Sequence, residues 1–252
     1  MSSAAPWLRQ FSNSQHDPTE EPVVCRTSSS QQPVLNMQAL RTMPRFITLE
    51  GGDGAGKSTA MGTIKDYLAG AGHEVVITRE PGGTPIAERI RELVLSDHDT
   101  ENLCAQTEAL LVFAARAQHL RTVILPALNR GAVVLCDRFT DSSYAYQGAG
   151  RGMPVEDIAE LERRFVGIRP AGTLLLDSPV AIGRERAKSR PEPADRIEME
   201  QDSFFERVRS CYLERASVEP DRITVIDTNA PLQDVQINLR SILKLKSDRW
   251  LS

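Results

Sequence analysis

Phe46-Ile47-Thr48-Leu49-Glu50-Gly51-Gly52-Asp53-Gly54-Ala55-Gly56-Lys57-Ser58 joins a short apolar run to a turn that fits the pattern G-x-x-x-x-G-K-[ST] at every fixed position. Residues 45–50 read as a strand and those from Lys57 onward as a helix. A turn of this kind in that setting wraps backbone N–H groups around a polyphosphate at the positive end of the helix. Lys57 would then reach the β/γ-phosphates, and the Ser58 hydroxyl would ligate Mg²⁺. An incidental lysine in a glycine-rich turn has no need of a strand before it and a helix after it. The stretch is therefore read as binding a nucleoside triphosphate through Gly51, Gly52, Asp53, Gly54, Ala55, Gly56, Lys57, Ser58 and Thr59.

Outward from this turn, short apolar runs alternate with longer segments of helical period. The predicted strands are 45–50, 74–78, 132–136, 172–177 and 222–227. Each is rich in Val, Ile, Leu or Thr and nearly continuous in hydrophobicity, as parallel strands covered on both faces are. Helices are predicted over 57–70, 84–95, 106–128, 154–167, 179–189, 199–216 and 231–246. The alternation implies a doubly wound α/β fold, a five-stranded parallel sheet flanked by helices. The 252 residues allow one such domain with a well-buried core. A net charge of −4 offers no general affinity for nucleic acid or anionic membrane. The four cysteines (Cys25, Cys104, Cys136, Cys211) are scattered, so neither a zinc site nor a disulfide framework is expected, and a cytoplasmic setting fits. Residues 1–44 are rich in Ser, Gln and Pro without apolar period; they are expected to be a disordered extension, with Met37 or Met43 as an alternative start. The P-loop domain is expected over 45–252.

Ligands of open parallel sheets bind beyond the carboxyl ends of the strands. Polar residues gather there: Thr78-Arg79-Glu80-Pro81-Gly82-Gly83 after the second strand, Asp137-Arg138 after the third, and Asp177 after the fourth. Asp137 has the form of a strand-terminal, Mg²⁺-associated aspartate or of a cap for the following turn. Asp177 reads as such a cap. Arg79 and Arg138 are placed either to clamp a phosphate bidentately or to pair with Glu80 or Asp137. Leu110, Phe113, Ala117, Leu120 and Ile124 follow 3-4-3-4 spacing, which makes Phe113 part of an apolar stripe. Arg116 lies one turn on. The run from Arg184 to Arg196, broken by Pro191 and Pro193, reads as a basic lid that brings arginines over the phosphates, spanning about 184–197.

The ordered series Phe46–Thr59, Thr78-Arg79-Glu80-Pro81-Gly82-Gly83-Thr84, Phe113-Ala114-Ala115-Arg116, Asp137-Arg138, Ser143-Tyr144-Ala145-Tyr146-Gln147-Gly148, Gly150-Arg151-Gly152 and Asp195-Arg196-Ile197-Glu198 resembles the thymidylate kinase family. The resemblance runs from about Phe46 to about Ile242. It implies a nucleoside monophosphate kinase-like P-loop fold and transfer of phosphate from ATP to dTMP with Mg²⁺ in dTTP synthesis. It implies a homodimer as well. It further implies that Asp53 meets the acceptor sugar and phosphate, that Phe113 stacks on thymine, and that Arg116, Ser143 and Gln147 line the base pocket. Arg79 and Arg138 would bind the acceptor's 5′-phosphate. Because the phosphate loop carries Gly54-Ala55 and no arginine, the lid arginines Arg186, Arg190 and Arg196 would serve the transferring group, as in the bacterial type. The rival readings are a kinase for another nucleotide or nucleoside and, more remotely, a P-loop regulatory ATPase.

Overall fold

The computed structural model describes residues 40–98, 101–189, 191 and 193–252. Five strands, β1 (Arg41–Glu50), β2 (Val75–Arg79), β3 (Val133–Asp137), β4 (Ile168–Asp177) and β5 (Ile223–Asp227), form one sheet in the order β2-β3-β1-β4-β5. Every pairing is parallel. Nine α-helices are present among the described residues. They are α1 (Lys57–Gly70), α2 (Pro85–Leu95), α3 (Ala105–His119), α4 (Leu125–Asn129), α5 (Thr140–Ser143), α6 (Val155–Leu161), α7 (Val180–Lys188), α8 (Asp202–Val218) and α9 (Leu232–Leu251). π-helical segments at Leu120–Ile124, Tyr144–Gly150 and Glu162–Val166 continue α3, α5 and α6.

Alternation along the central strand divides the core. Ile47 and Leu49 face α1 and α9, packing with Ile64, Leu68, Leu239 and Leu243. Phe46 faces the opposite layer, with Phe113, Leu120, Ile124 and Phe139. A third cluster seats α8 on the sheet through Phe204, Phe205, Val208 and Tyr212, against Leu175 and Ile223. Thr48, on the Phe46 face, shares a buried hydroxyl contact of 2.8 Å with Thr173.

The structure differs from the sequence-based expectations in several places. β1 begins at Arg41, because residues 41–43 pair with 168–170 before a two-residue irregularity at Pro44-Arg45, where Arg45 has φ 63°. Met43, expected in a disordered extension, is buried; residues 1–39 of that expected extension lie outside the described residues. The closing helix runs past 246 to Leu251, because Trp250 fills the space that a side chain at Gly172 would take: a Cβ there would lie 2.2 Å from the indole. Leu110, expected in the apolar stripe of α3, is 57% exposed.

Candidate active site

The loop from Gly51 to Gly56 connects β1 to α1. A Cβ at Gly51 would lie 2.3 Å from the Leu176 carbonyl oxygen, and one at Gly54 would lie 1.9 Å from that of Gly183. Both residues have positive φ (137° and 74°), so the close approach of β4 and α7 to the loop demands glycine. α1 opens at Gly56 with no side-chain cap and no acidic residue in its first turn. Its positive end is therefore left for an external anion. The Lys57 ammonium donates to the Gly52 and Gly51 carbonyls at 2.9 and 3.2 Å. Burial, then the charge of Arg138, bring it down to about 8, with Asp137, Asp53 and Glu50 opposing. Ser58 and Thr59 are exposed beside it. Gly54, Ala55, Gly56 and Thr59 border a cavity closed on its other side by Arg186, Thr228, Leu232 and Gln236.

Asp137 ends β3 in register with Leu49. Its Oδ1 is buried and meets no hydrogen-bond donor among the described residues. An orphaned carboxylate oxygen beside a phosphate loop, with an exposed serine hydroxyl at the start of the following helix, fits a nucleotide-borne Mg²⁺, which keeps most of its ligands as water and phosphate.

On the other side of Asp53 lies a second cavity, lined by Asp53, Glu80, Arg91, Val112, Arg116, Arg138, Ser143, Tyr146 and Gln147, among others. Arg138 has φ 68° and donates to Asp53 Oδ1 at 2.7 Å while its guanidinium lies 4.8 Å from the Tyr146 ring centre. Its backbone is held by Arg138 N–H to Leu49 O (2.8 Å), and the next amide, Phe139 N–H, donates to Glu50 Oε1 at 2.7 Å. Glu50 is fully buried and also accepts from Ser142 Oγ (2.6 Å) and Tyr212 Oη (2.9 Å). Burial and the neighbouring Asp141 charge push its carboxyl up to about 7. Arg91 donates to the Pro81 carbonyl at 3.1 Å, and burial together with the Arg79 charge holds it below the usual arginine range. A cationic corner of this kind favours an anion.

Buried charge supports the cavity wall. Arg116 gives Nε to Glu80 Oε2 (2.6 Å), Nη1 to Ser143 Oγ (2.9 Å) and Nη2 to the Phe139 carbonyl (3.0 Å). His119 Nδ1–H donates to Glu80 Oε1 at 2.9 Å, while its Nε2 meets Thr78 Oγ1 at 2.6 Å. Arg116, Glu80 and His119 are each at most 2% exposed. Glu108, also buried, accepts from Gln147 Nε2 (2.9 Å), Arg196 Nη2 (2.6 Å) and Arg151 Nε (3.2 Å). Burial would raise the Glu108 carboxyl, but the hydrogen bonds from Arg196 and Gln147 and the Arg151 charge hold it below the usual range.

The structure thus brings Asp53, Arg116, Arg138, Ser143 and Gln147 together, with Lys57, Ser58 and Asp137 on the loop side. Others stand elsewhere than expected. Phe113 is 2% exposed, packed with Phe46, Leu120 and Phe139, with the Arg116 guanidinium 4.7 Å above its ring. One residue of α3 turns the side chain by about 100°, so Val112, four before Arg116, faces the cavity and Phe113 the core. Arg79 is exposed, outside the cavity lining, and paired to Glu88 at 2.9 Å. Arg196, expected over the phosphates, instead donates to the Val94 carbonyl (2.9 Å) as well as to Glu108. Arg186 donates to the Thr228 carbonyl at 3.2 Å beside the loop-side cavity. Arg190 lies outside the described residues. Asp177, read as a cap, accepts from Nε and Nη2 of Arg209 at 2.7 and 2.9 Å. Arg91, Val112, Tyr146, Glu108 and His119 were missed from the sequence; the first two sit at helical spacings that periodicity alone assigns to a packed or solvated face.

A phosphate loop at the end of a central parallel strand, facing a side-chain pocket across one aspartate, defines a P-loop nucleotide kinase. The family model for thymidylate kinase matches residues 49–239. A thymidylate kinase of Pseudomonas fluorescens is 56% identical over 199 residues, covering 79% of this chain and 94% of that protein. One of Pseudomonas putida is 56% identical over 204 residues with the same coverage. The crystal structure of thymidylate kinase from Ehrlichia chaffeensis superposes with a TM-score of 0.63 at 31% identity, covering 81% of this chain and 99% of that one. The chain belongs to the thymidylate kinase family, whose reaction is phosphorylation of dTMP in dTTP synthesis. No helix among the described residues is long and apolar enough to cross a membrane.

Proposed function

We propose that the chain moves the γ-phosphoryl group of ATP to dTMP, with the triphosphate on the Gly51–Thr59 loop and the acceptor in the cavity beyond Asp53. The observation that carries the reading is that a single cavity is lined both by the loop's Asp53, joined to Arg138 at 2.7 Å, and by Arg116, Ser143 and Gln147. A nucleoside monophosphate laid between them points its phosphate at the donor. The adenosine side is assigned to the cavity between the loop, Arg186 and Leu232.

An acceptor phosphate oxygen attacks the γ-phosphorus in line, the bond to the β-phosphate oxygen breaks, and no enzyme-bound intermediate is needed. Lys57 leaves its carbonyl partners for the phosphates and stabilises the charge spread over the equatorial oxygens. Arg91 and Arg138 hold the acceptor phosphate. Ser58 and Asp137 would hold Mg²⁺, which neutralises phosphate charge when bound. Of the lid arginines, Arg186 borders the donor cavity and is assigned to the donor phosphates. Arg190 keeps that role on its place in the sequence. Arg196 is assigned to holding the lid's return segment, since its guanidinium is spent on Val94 and Glu108. Phe113 is assigned to supporting Arg116 from beneath, and Arg79 to guiding the incoming phosphate from the rim.

A homodimer is proposed through α3, where Leu110 is 57% exposed and Phe165, on the segment packed against that helix, 56%. Leu110→Glu would then yield a monomer by sedimentation, whereas an unchanged species removes that interface. A cytoplasmic site of action is proposed on the scattered, unpaired cysteines Cys104, Cys136 and Cys211. The activity is tested by coupled assay with ATP and dTMP, dUMP, AMP or CMP. The expected order puts dTMP first in kcat/KM. AMP or CMP matching dTMP, or ATP hydrolysis indifferent to acceptor, would overturn the reading.

A further inference from the structure

Glu108 lies at the first turn of α3, is 1% exposed, and none of the elements it touches is its sequence neighbour. It gathers Gln147 from the π-helical segment, Arg151 just beyond it, and Arg196 from the segment that returns from the lid. Two of these are tied elsewhere as well: Arg196 to the Val94 carbonyl at the end of α2, and Arg151 to Glu200. The carboxylate therefore joins the helix that carries Arg116 to the segment that carries Gln147 and to the lid's return.

A carboxylate accepts only, so it dictates which end of the Gln147 amide faces it. One N–H of the amide is given to Glu108, which turns the carbonyl oxygen away from that carboxylate and leaves it for the cavity that Gln147 lines. A pocket that presents a carbonyl at this point selects a ligand bearing a donor there, an imide N–H or a hydroxyl. A ligand with only acceptors would leave both partners unpaired. Asp195 and Ile197, on either side of Arg196, line the same cavity. Loss of the Glu108 carboxylate would therefore loosen the wall, by releasing Arg196, as well as free the amide to turn.

We propose that Glu108 is a positioning residue of the acceptor pocket, acting through Gln147 and Arg196 and touching no substrate itself. The proposal rests on the assignment of this cavity to dTMP. Its consequence is that acceptor affinity and acceptor choice depend on a carboxylate one layer behind the pocket wall, while ATP affinity does not.

The test is steady-state kinetics of the full chain as Glu108→Gln, Gln147→Ala and the double variant, with thermal melting of each. Glu108→Gln should raise the KM for dTMP about tenfold or more, leave that for ATP within twofold, and narrow the preference for dTMP over dCMP. In the double variant the KM for dTMP should be no more than about threefold above that of Gln147→Ala, because the two residues act in one chain. If Glu108→Gln melts below the assay temperature, Glu108→Asp, which keeps the charge and withdraws it by one methylene, should raise the dTMP KM several-fold in a folded enzyme. A Gln147→Ala enzyme with unchanged dTMP KM would show that the cavity is not the acceptor site. If Gln147→Ala raises that KM and the folded Glu108 variants change only the melting temperature, the cavity assignment stands and the positioning role is overturned.

Discussion

The two halves of the active site hold charge in opposite ways. On the donor side the groups offered to phosphate are backbone N–H groups, a lysine resting on two loop carbonyls, and exposed hydroxyls of Ser58 and Thr59. On the proposed acceptor side, polar groups that line the cavity from α3, α5 and the π-helical segment are already bonded to another protein group: Arg116 to Glu80, Ser143 to Arg116, Gln147 to Glu108. A polyphosphate needs charge and N–H groups, which a loop supplies whatever its side chains do. A pyrimidine must be told from its analogues by single donors and acceptors. Those discriminate only if their own orientation is fixed.

The comparison breaks first at Lys57. Lys57→Ala should lower kcat by about 10³-fold or more, because the ammonium is the one side-chain cation on the loop itself. Its melting temperature should stay close to that of the parent chain. A variant that kept near-normal kcat would remove the loop from the chemistry.

On the acceptor side, loss of one side chain should cost stability and binding together. Arg116→Met leaves Glu80 buried without its strongest partner, at an expected cost of about 3–5 kcal/mol, with a raised KM for dTMP and an unaltered one for ATP. Melting curves and both KM values on one preparation check this. An Arg116→Met enzyme as stable as the parent would mean that His119 alone satisfies Glu80.

Phe113 and Val112 sharpen the comparison within a single helix turn. Phe113→Leu should cost about 1–2 kcal/mol of stability and leave the dTMP KM within twofold. Val112→Ala should show the reverse emphasis, a several-fold rise in that KM with a smaller loss of stability. If Phe113→Leu instead raised the dTMP KM tenfold at unchanged melting temperature, the ring would have to stack on the base.

The smallest expected effect lies between the halves, at Glu50. Its carboxyl is raised in the folded state to about 7 from an ordinary 4.5, by burial and then by Asp141. The folded chain therefore holds a proton that the unfolded chain releases. Stability from this group is present below about 4.5, falls as pH rises toward 7, and levels off above it. Glu50→Gln should flatten that slope, seen as a smaller fall in melting temperature from pH 5 to pH 7.5. An unchanged slope would assign it to other groups.

Much of this was legible because it is local. The loop from Gly51 to Ser58 works through its own backbone, so one contiguous pattern carries both its shape and its chemistry, and Asp137-Arg138 could be read from the end of an apolar run. The acceptor pocket is not local. Glu80 meets Arg116 and His119 across 36 and 39 residues, and Glu108 meets Arg196 across 88. Periodicity put Phe113 in the core, as the structure does, and the family resemblance moved it to the base. The same periodicity placed Leu110 inside, where it is exposed. A repeat of 3.6 residues marks an apolar stripe to within one position, and one position on a helix is the difference between pocket and core.

By itself, then, the sequence determined that this chain is an α/β protein with a phosphate loop, since strand period, helix period and glycine geometry are short-range properties of the backbone. Only the tertiary structure decided which partner each arginine takes. Arg196 is latched to Glu108 and Val94, Arg79 is held by Glu88 at the rim, and Arg138 is aimed at Asp53 by a strained turn that buried Glu50 steadies. A guanidinium on a long, flexible stem can reach many partners. Which one it takes depends on the carboxylates that folding brings near it, and those come from distant parts of the chain.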